Sequence, residues 1–349
     1  MKNRTFFTCV LLSCVIGLCG CSFSPTGKPR PRVGSFAAAT MSVTFKDADD
    51  IGRHNYSSSI GENKDIVYTC NGGHIDLAHL RIASDHVYYL YNMTRKGLAK
   101  GKNVYHFGLQ YDPTKYRSKI EFPANFDSMP TEQRQKLIDD VSLELALFYT
   151  WYLTSWHEIN TWYGYGSFVP GTEFHSAFAW EDIYSNLLGA KLGVEAIETA
   201  HGSGTGPYNS AMTKVLEDKL ANLGPVPAKE ARKATKTMAG KWYSGHGGFK
   251  MLLRNVDVGQ GDNCVSPAIV PNACPSPSPV CQPVPSLAKT RGAGFKVDFE
   301  ITSTQKKGRI LSFIYGEGEK GPIIPEKHLF TVTNQISREA KEKGYLVME

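Results

Sequence analysis

The chain has 349 residues, of which 41% are hydrophobic and 11% aromatic, so a disordered protein is excluded and a globular core is expected. The formal net charge is +6, and its 39 basic and 33 acidic residues are scattered along the sequence. Because no basic stripe with interleaved aromatic residues is evident, nucleic acid is not an expected partner.

The first residues have the pattern of a bacterial lipoprotein signal peptide. Met1–Arg4 is basic, Phe6–Leu18 is apolar but too short to span a bilayer, and a small residue precedes Cys21. We expect residues 1–20 to be removed and Cys21 to carry acyl chains, such as palmitate, that anchor the protein in a membrane. Ser22, where an aspartate would favour retention in the inner membrane, predicts the outer membrane, with the protein facing the periplasm.

Residues 21–44 are rich in proline and glycine, which predicts a flexible tether, and residues 45–349 are expected to form a single globular domain with a Pro/Cys-rich loop at 262–286. Four cysteines lie beyond Cys21, an even number that favours disulfides outside the cytoplasm. Their spacing lacks the short gaps of cysteine-ligated zinc sites, and three pairings remain open. These cysteines are Cys70, Cys264, Cys274 and Cys281.

Apolar residues recur at helical spacing in the first two thirds of the chain. The predicted helices span 75–96, 130–162, 181–197, 208–223 and 228–239. Runs rich in β-branched and aromatic residues predict strands at 249–256, 295–302, 309–315 and 329–332. The expected fold is therefore α+β, a mainly helical body with a small antiparallel sheet toward the C-terminus.

One segment is similar to the zinc-protease pattern in which two histidines four residues apart bind the metal and an intervening glutamate activates water. His157 and Glu158 occupy the first two of these places, but Thr161 stands where the second histidine belongs. Threonine is a poor zinc ligand beside imidazole. We therefore expect one zinc ion held by His79, His157 and Glu181, with Glu158 as the catalytic base.

Four more residues are candidates for the same site: either His79 or His74, with Asp76, would supply the ligand missing at Thr161, Arg81 would pair with a buried carboxylate, and Asp182 opens the next helix beside Glu181. They are His74, Asp76, Arg81 and Asp182. Asp76 and His79 are three residues apart and share one face of the predicted helix. Buried carboxylates and imidazoles can instead bond one another and cross-link helices without any metal.

Three motifs together resemble a bacterial lipoprotein family classed as a domain of unknown function. They are GHIDLAHLR at Gly73–Arg81, WHE and TWYGY within Trp156–Tyr165, and WEDIYSNLLG at Trp180–Gly189. The resemblance covers most of Asn55–Val256 and implies a protein of the cell envelope whose polar motifs belong to one domain. It implies no reaction.

The residue types and the expected location suggest a metal-dependent hydrolase that acts on peptide or cell-wall material. The alternative is a non-catalytic binding or scaffolding lipoprotein of the envelope, with a cell-wall or protein partner. A dense run of aromatic residues between Phe148 and Tyr184 could line a ligand groove in either case.

Overall fold

The computed structural model describes residues 27–32, 44–58, 60–166, 173–200, 204–245 and 250–348. The predicted signal peptide and the acylation site at Cys21 lie outside the described residues. Within those residues, every helix is too short or too polar to cross a membrane.

Helices form the body of the protein. They are α1 (Leu77–Leu98), α2 (Thr131–Trp162), α3 (Asp182–Thr199), α4 (Thr205–Asn222), α5 (Ala228–Lys236), α6 (Ala288–Gly292), α7 (Lys307–Tyr315) and α8 (Pro325–Glu342). The first of them, α1, packs against both α2 and α3. Large side chains such as Trp151 and Trp156 of α2 are completely buried in this core, which explains the aromatic density of that helix.

The strands are short and form four small sheets. They are β1 (Ile66–Thr69), β2 (Gly73–Asp76), β3 (Val104–Phe107), β4 (Lys115–Glu121), β5 (Leu253–Asn255), β6 (Cys264–Val265), β7 (Gln282–Pro283), β8 (Lys296–Ser303) and β9 (Leu346–Met348). The largest sheet has the antiparallel order β3-β4-β8. The other pairs are β1-β2 and β6-β7, which are antiparallel, and β5-β9, which is parallel.

Strand β4 shows how the three-stranded sheet joins the helices. Its residues alternate between exposed and buried, and Tyr116, Ser118 and Ile120 point inward. The Ser118 hydroxyl is 2.6 Å from the hydroxyl of Tyr149 on α2. The predicted α+β fold with a helical body is therefore confirmed.

Two glycines set the distance between α1 and α3. A Cβ atom on Gly189 would lie 2.0 Å from the backbone carbonyl oxygen of Leu80, and one on Gly193 would lie 3.0 Å from the Cα of Ser84. The two pairs are each four residues apart, so one stripe of α3 meets one stripe of α1. This contact lies about two helical turns from the first residue of α3, and it therefore fixes where that end of the helix stands against α1.

Three predicted elements differ from the structure. The helix predicted to begin at residue 75 begins at Leu77, because His74 and Asp76 pair with β1 as part of a hairpin. The strands predicted at 309–315 and 329–332 are wrong, since these residues lie in α7 and α8. A window of four residues from α8 looks like a strand, whereas its buried residues recur every three or four positions over the whole helix.

The four cysteines form two disulfides, Cys70–Cys274 and Cys264–Cys281. The second closes most of the Pro/Cys-rich loop on itself, with a sequence separation of 17. The first ties the loop to the turn between β1 and β2 and spans a separation of 204. The loop is therefore held at both its base and its middle.

We expect the double variant Cys70→Ser/Cys274→Ser to lose about 2–5 kcal/mol of unfolding free energy, because the unfolded chain regains a long open loop. The matched variant Cys264→Ser/Cys281→Ser opens a much shorter loop and should lose about 2 kcal/mol less on the chain-entropy model. Urea unfolding under non-reducing conditions measures both values. Equal losses would contradict this account.

Candidate functional site

Asp76 joins β2 to α1 and serves both as a cap and as a site residue. It is the N-cap of α1, and its Oδ1 accepts hydrogen bonds from the backbone N–H groups of Ala78 (2.7 Å) and His79 (3.0 Å). Its Oδ2 is 3.1 Å from Nδ1 of His79. The cap therefore orients the carboxylate toward the imidazole, so the predicted closeness of the two residues is found, although Asp76 stands before the helix.

Asp182 brings α3 to the same point. It is the first residue of that helix, its Oδ1 is 3.7 Å from Nδ1 of His79, and its Oδ2 accepts a hydrogen bond from the backbone N–H of Ala179. One ligand atom each from Asp76, His79 and Asp182 can be chosen so that all three lie within 4.8 Å of one another. In the described part of the chain, this is the one such group of histidine, cysteine, aspartate or glutamate residues.

The cluster is buried at its carboxylates and at Nδ1 of His79, and only another part of the imidazole reaches the surface. Asp76 and Asp182 are buried, whereas the side chain of His79 is 26% exposed. Glu158 and Glu181 are also buried, and both carboxylates act on the pKa of Asp182. Such a concentration of buried carboxylates is unfavourable unless cations or protons compensate it.

Raised pKa values favour bound protons on two side chains of the cluster. Burial works to lower the pKa of His79, but the carboxylates of Asp182 and Asp76 outweigh it and raise that pKa well above 6.5. Burial raises the pKa of Asp182, and the negative charges of Glu158 and Glu181 add to the effect, while His79 opposes it. The cluster therefore binds protons more tightly than isolated side chains do.

Glu158 of α2 holds a strained turn beside the cluster. Its Oε2 accepts a hydrogen bond of 2.9 Å from the backbone N–H of Phe178, whose φ is +55°. A bulky residue in the left-handed region is uncommon and is found preferentially at functional sites. Since the next N–H, of Ala179, is bonded to Asp182, two acidic side chains of the site fix this turn.

Arg254 of β5 is a buried cation close enough for the charges of Asp182 and Glu158 to act on it. Its buried guanidinium donates to the backbone carbonyls of His175 and Ala177 and lies 4.7 Å from the ring centre of Tyr345. Burial lowers the pKa of Arg254, and the charges of Asp182 and Glu158 partly oppose that change. Arg254 thus offsets part of the negative charge while it holds the loop that leads to α3.

His157 belongs to a neighbouring network. Its Nδ1 donates to Oδ2 of Asp112 at 2.8 Å, and Oδ1 of Asp112 accepts from Asn160 (2.8 Å) and from the backbone N–H of Thr114 (2.7 Å). Burial alone would lower the pKa of His157, but the hydrogen bond to Asp112 raises it. Thr161, in the place of the second zinc-protease histidine, donates its hydroxyl to the carbonyl oxygen of His157.

The structure therefore brings together a different triple from the one predicted. His79 is common to both, whereas Asp76 and Asp182 replace His157 and Glu181 in the group of converging ligand atoms. Glu158 is close enough to raise the pKa of His79.

Two other candidates lie elsewhere. His74 is buried among aromatic rings, with its Nε2 2.8 Å from the Thr235 hydroxyl, and burial lowers its pKa to about 3. Arg81 is buried on α1 and donates to the backbone carbonyls of Ile51 and Gly52, each at 2.9 Å. Both residues stabilise the packing around the site.

Asp112 is the residue that sequence reasoning missed. It lies 45 positions before His157, and the Asp-Pro step at residues 112–113 marks only a turn. No local pattern connects it to α2, since the contact arises when β4 packs on that helix.

The fold and the cluster define an α+β protein with a buried carboxylate–imidazole centre at the meeting point of two helices and a hairpin. The chain belongs to a family described as a protein of unknown function (DUF4056), whose model matches residues 40–262. That range contains the cluster, Glu158 and the Asp112–His157 pair. No curated protein and no solved structure matches the chain.

Proposed function

We propose that Asp76, His79 and Asp182 hold a divalent cation, and that the protein is a metal-dependent hydrolase of the bacterial envelope. The observation that carries the proposal is the convergence of three ligand atoms within 4.8 Å of one another. Imidazole and carboxylate donors suit zinc, and catalytic zinc sites in general have three protein ligands and a water or substrate in the fourth position.

The chain's own residues supply the other requirements of hydrolysis. A bound zinc ion lowers the pKa of a water molecule and polarises a carbonyl. Glu158 is buried beside the cluster and is held in place by the N–H of Phe178, so it can accept the proton that such a water loses. Peptide or cell-wall material is the expected substrate class.

The location is part of the proposal. The pattern that ends at Cys21 supports a lipid anchor, and Ser22 supports the outer membrane with the protein facing the periplasm. The two disulfides are consistent with an oxidising compartment. A cell-wall polymer or an envelope protein would then be within reach.

Metal analysis of the purified protein tests the cation site. We expect about one zinc ion per chain, and His79→Gln should weaken zinc affinity by more than about 100-fold, because it removes a direct ligand. His157→Gln is the matched control, since its side chain is 27% exposed but bonded to Asp112. If His79→Gln binds zinc as tightly as the control, the site is wrong.

The pH dependence of the zinc effect provides an independent check. The raised pKa of His79 means that its bound proton contributes stability to the metal-free fold that is fully present below about pH 6.5 and is lost as the pH rises through the folded pKa; the raised pKa of Asp182 acts in the same direction, with its full contribution present only below about pH 3.8. Zinc competes with these protons, so its effect on the melting temperature should be small near pH 6 and larger near pH 8.5. A zinc effect that does not change with pH would contradict this assignment.

Activity separates the hydrolase from the non-catalytic alternative. Glu158→Gln keeps an acceptor for the Phe178 N–H, so the variant should fold and bind zinc but release no fragments from purified cell wall or peptides, as followed by mass spectrometry. A metal-free protein whose stability ignores both zinc and chelator would support the binding or scaffolding protein instead.

A further inference from the structure

The net positive charge of the protein is concentrated in one short segment. Residues 229–250 contain six basic residues and one acidic residue, so they contribute +5 of the total +6. The rest of the chain has 33 basic and 32 acidic residues and is nearly neutral. The expectation that the charges are scattered along the chain is therefore wrong for residues 229–250.

Helix α5 carries four of these six basic residues, all on one face. Lys229, Arg232, Lys233 and Lys236 are exposed and follow the spacing of neighbouring helical turns. The opposite face is buried through Ala231 and through Thr235, whose hydroxyl bonds Ala231 and His74. The packing fixes the orientation of α5, so the basic face points to solvent. We call Lys229, Lys233, Lys236 and the following exposed Lys241 the basic face.

The basic face forms no ion pair among the described residues, although Glu230 of α5 follows Lys229 in the sequence. None of its four ammonium groups lies within 4.0 Å of a carboxylate there, whereas other helices pair lysine with aspartate four positions on, as in Lys136–Asp140 and Lys214–Asp218. On α5 the residue four positions after Lys229 is Lys233, and that pair repels. An anionic partner would relieve this repulsion.

We propose that the basic face docks on the anionic phospholipid headgroups of the membrane that carries the lipid anchor. This inference rests on the membrane anchoring in the proposed function. Five residues lie between Cys21 and Gly27, and the six steps from one to the other can span at most about 22 Å. Since Gly27 accepts a hydrogen bond from Tyr56 of the body, an acylated Cys21 holds the folded body close to the bilayer.

Two further features fit a headgroup surface. The basic face is a broad array on one helix and the adjoining turn, which suits a plane of charges, and half-buried Trp242 and Tyr243 follow Lys241. Lysines near an anionic bilayer bind it by electrostatic attraction that falls off within a Debye length.

Hydrogen exchange of the acylated full-length protein in vesicles tests the docking. With vesicles of phosphatidylcholine containing phosphatidylglycerol, amides of residues 228–245 should exchange at least about threefold more slowly than in pure phosphatidylcholine, and about 0.5 M salt should remove the difference. Lys229→Gln/Lys233→Gln/Lys236→Gln should abolish this protection. Absence of lipid-dependent protection in the unmodified protein would overturn the inference.

The matched control removes three charges from other exposed lysines, Lys289→Gln/Lys320→Gln/Lys327→Gln, and should retain the protection. Equal loss in the control would mean that net charge acts instead of this face. A soluble polyanion is tested in the same hydrogen-exchange experiment. If it slows the exchange of residues 228–245 and anionic vesicles do not, the basic face binds an anionic polymer and membrane docking is overturned.

A separate experiment tests whether acylated Cys21 anchors the protein in the membrane. Flotation with neutral vesicles should require Cys21, and Cys21→Ala should abolish it. Flotation without anionic-lipid protection would reject the docking and keep the anchor. If Cys21→Ala floats like the unmodified protein, the anchor is wrong, and the vesicle comparison then decides whether the basic face binds anionic lipid by itself.

Discussion

Gly189→Ala is expected to lose more than about 4 kcal/mol of unfolding free energy, enough to unfold a protein of ordinary stability. The new Cβ would lie 2.0 Å from the backbone oxygen of Leu80, and neither helix backbone can yield as a flexible side chain does. The helices α1 and α3 must therefore separate. Thermal and urea unfolding measure the loss.

The same change should damage the cation site in any molecules that remain folded. Leu80 is next to His79, and Gly189 lies about two turns from Asp182, so separation at the crossing moves the two ligands apart. We expect zinc affinity to fall together with stability. Gly206→Ala in α4 is the control, since its Cβ would meet nothing within 4 Å and alanine favours helix. Stability of Gly189→Ala within about 1 kcal/mol of the unmodified protein would refute the steric argument.

The helix that carries Glu158 could be predicted from the sequence because its pattern of apolar residues is long. α2 extends over 32 residues, and its apolar residues repeat at helical spacing between Pro130 and Gly164. Short elements lack this redundancy. In α7 and α8, a window of a few apolar residues fits a strand as well as a helix. The sequence pattern predicts strands there wrongly, because tertiary packing decides the structure of such short runs.

The candidate site was predictable only where its residues are close in sequence. Asp76 and His79 lie three positions apart, and either a helix or an N-cap brings them together. Asp182 comes from α3, whose approach depends on the glycine contact with α1, and composition does not reveal that contact. The bond between His157 and Asp112 likewise requires the sheet to dock on α2, so the sequence could not distinguish a ligand from a histidine with a carboxylate partner.

The described part of the predicted tether shows a similar limit. Pro29, Pro31 and the glycines suggested a flexible segment, yet residues 27–32 contact the body. The Arg32 side chain is 2% exposed and forms ion pairs with Glu62 and with Asp85, the latter at 2.6 Å. Long-range charge pairing of this kind has no local sequence signal.

Arg32→Ala is consequently expected to cost about 3–5 kcal/mol, because it leaves two buried carboxylates without their main partner. Its guanidinium also donates to the backbone carbonyls of Ser58 and Asn55. Arg30→Ala is the control, since Arg30 is exposed and its hydrogen bond to the hydroxyl of Ser57 comes from the backbone N–H. Urea unfolding of both variants measures the difference.

The loss in Arg32→Ala should also depend on pH through His54, whose Nε2 is 3.1 Å from Asp85. Burial lowers the pKa of His54, and the charges of Arg32 and Arg81 lower it further against the pull of Asp85. A lowered folded pKa means that the contribution of His54 to stability is lost as the pH falls below about 6.5 and through the folded pKa. Without Arg32 the pKa of His54 rises, and protonated His54 can partly replace the missing cation beside Asp85. The loss of unfolding free energy in Arg32→Ala should therefore be largest near pH 8 and smaller near pH 5. A loss that grows on acidification would show that the buried ion pairs do not hold this segment in place.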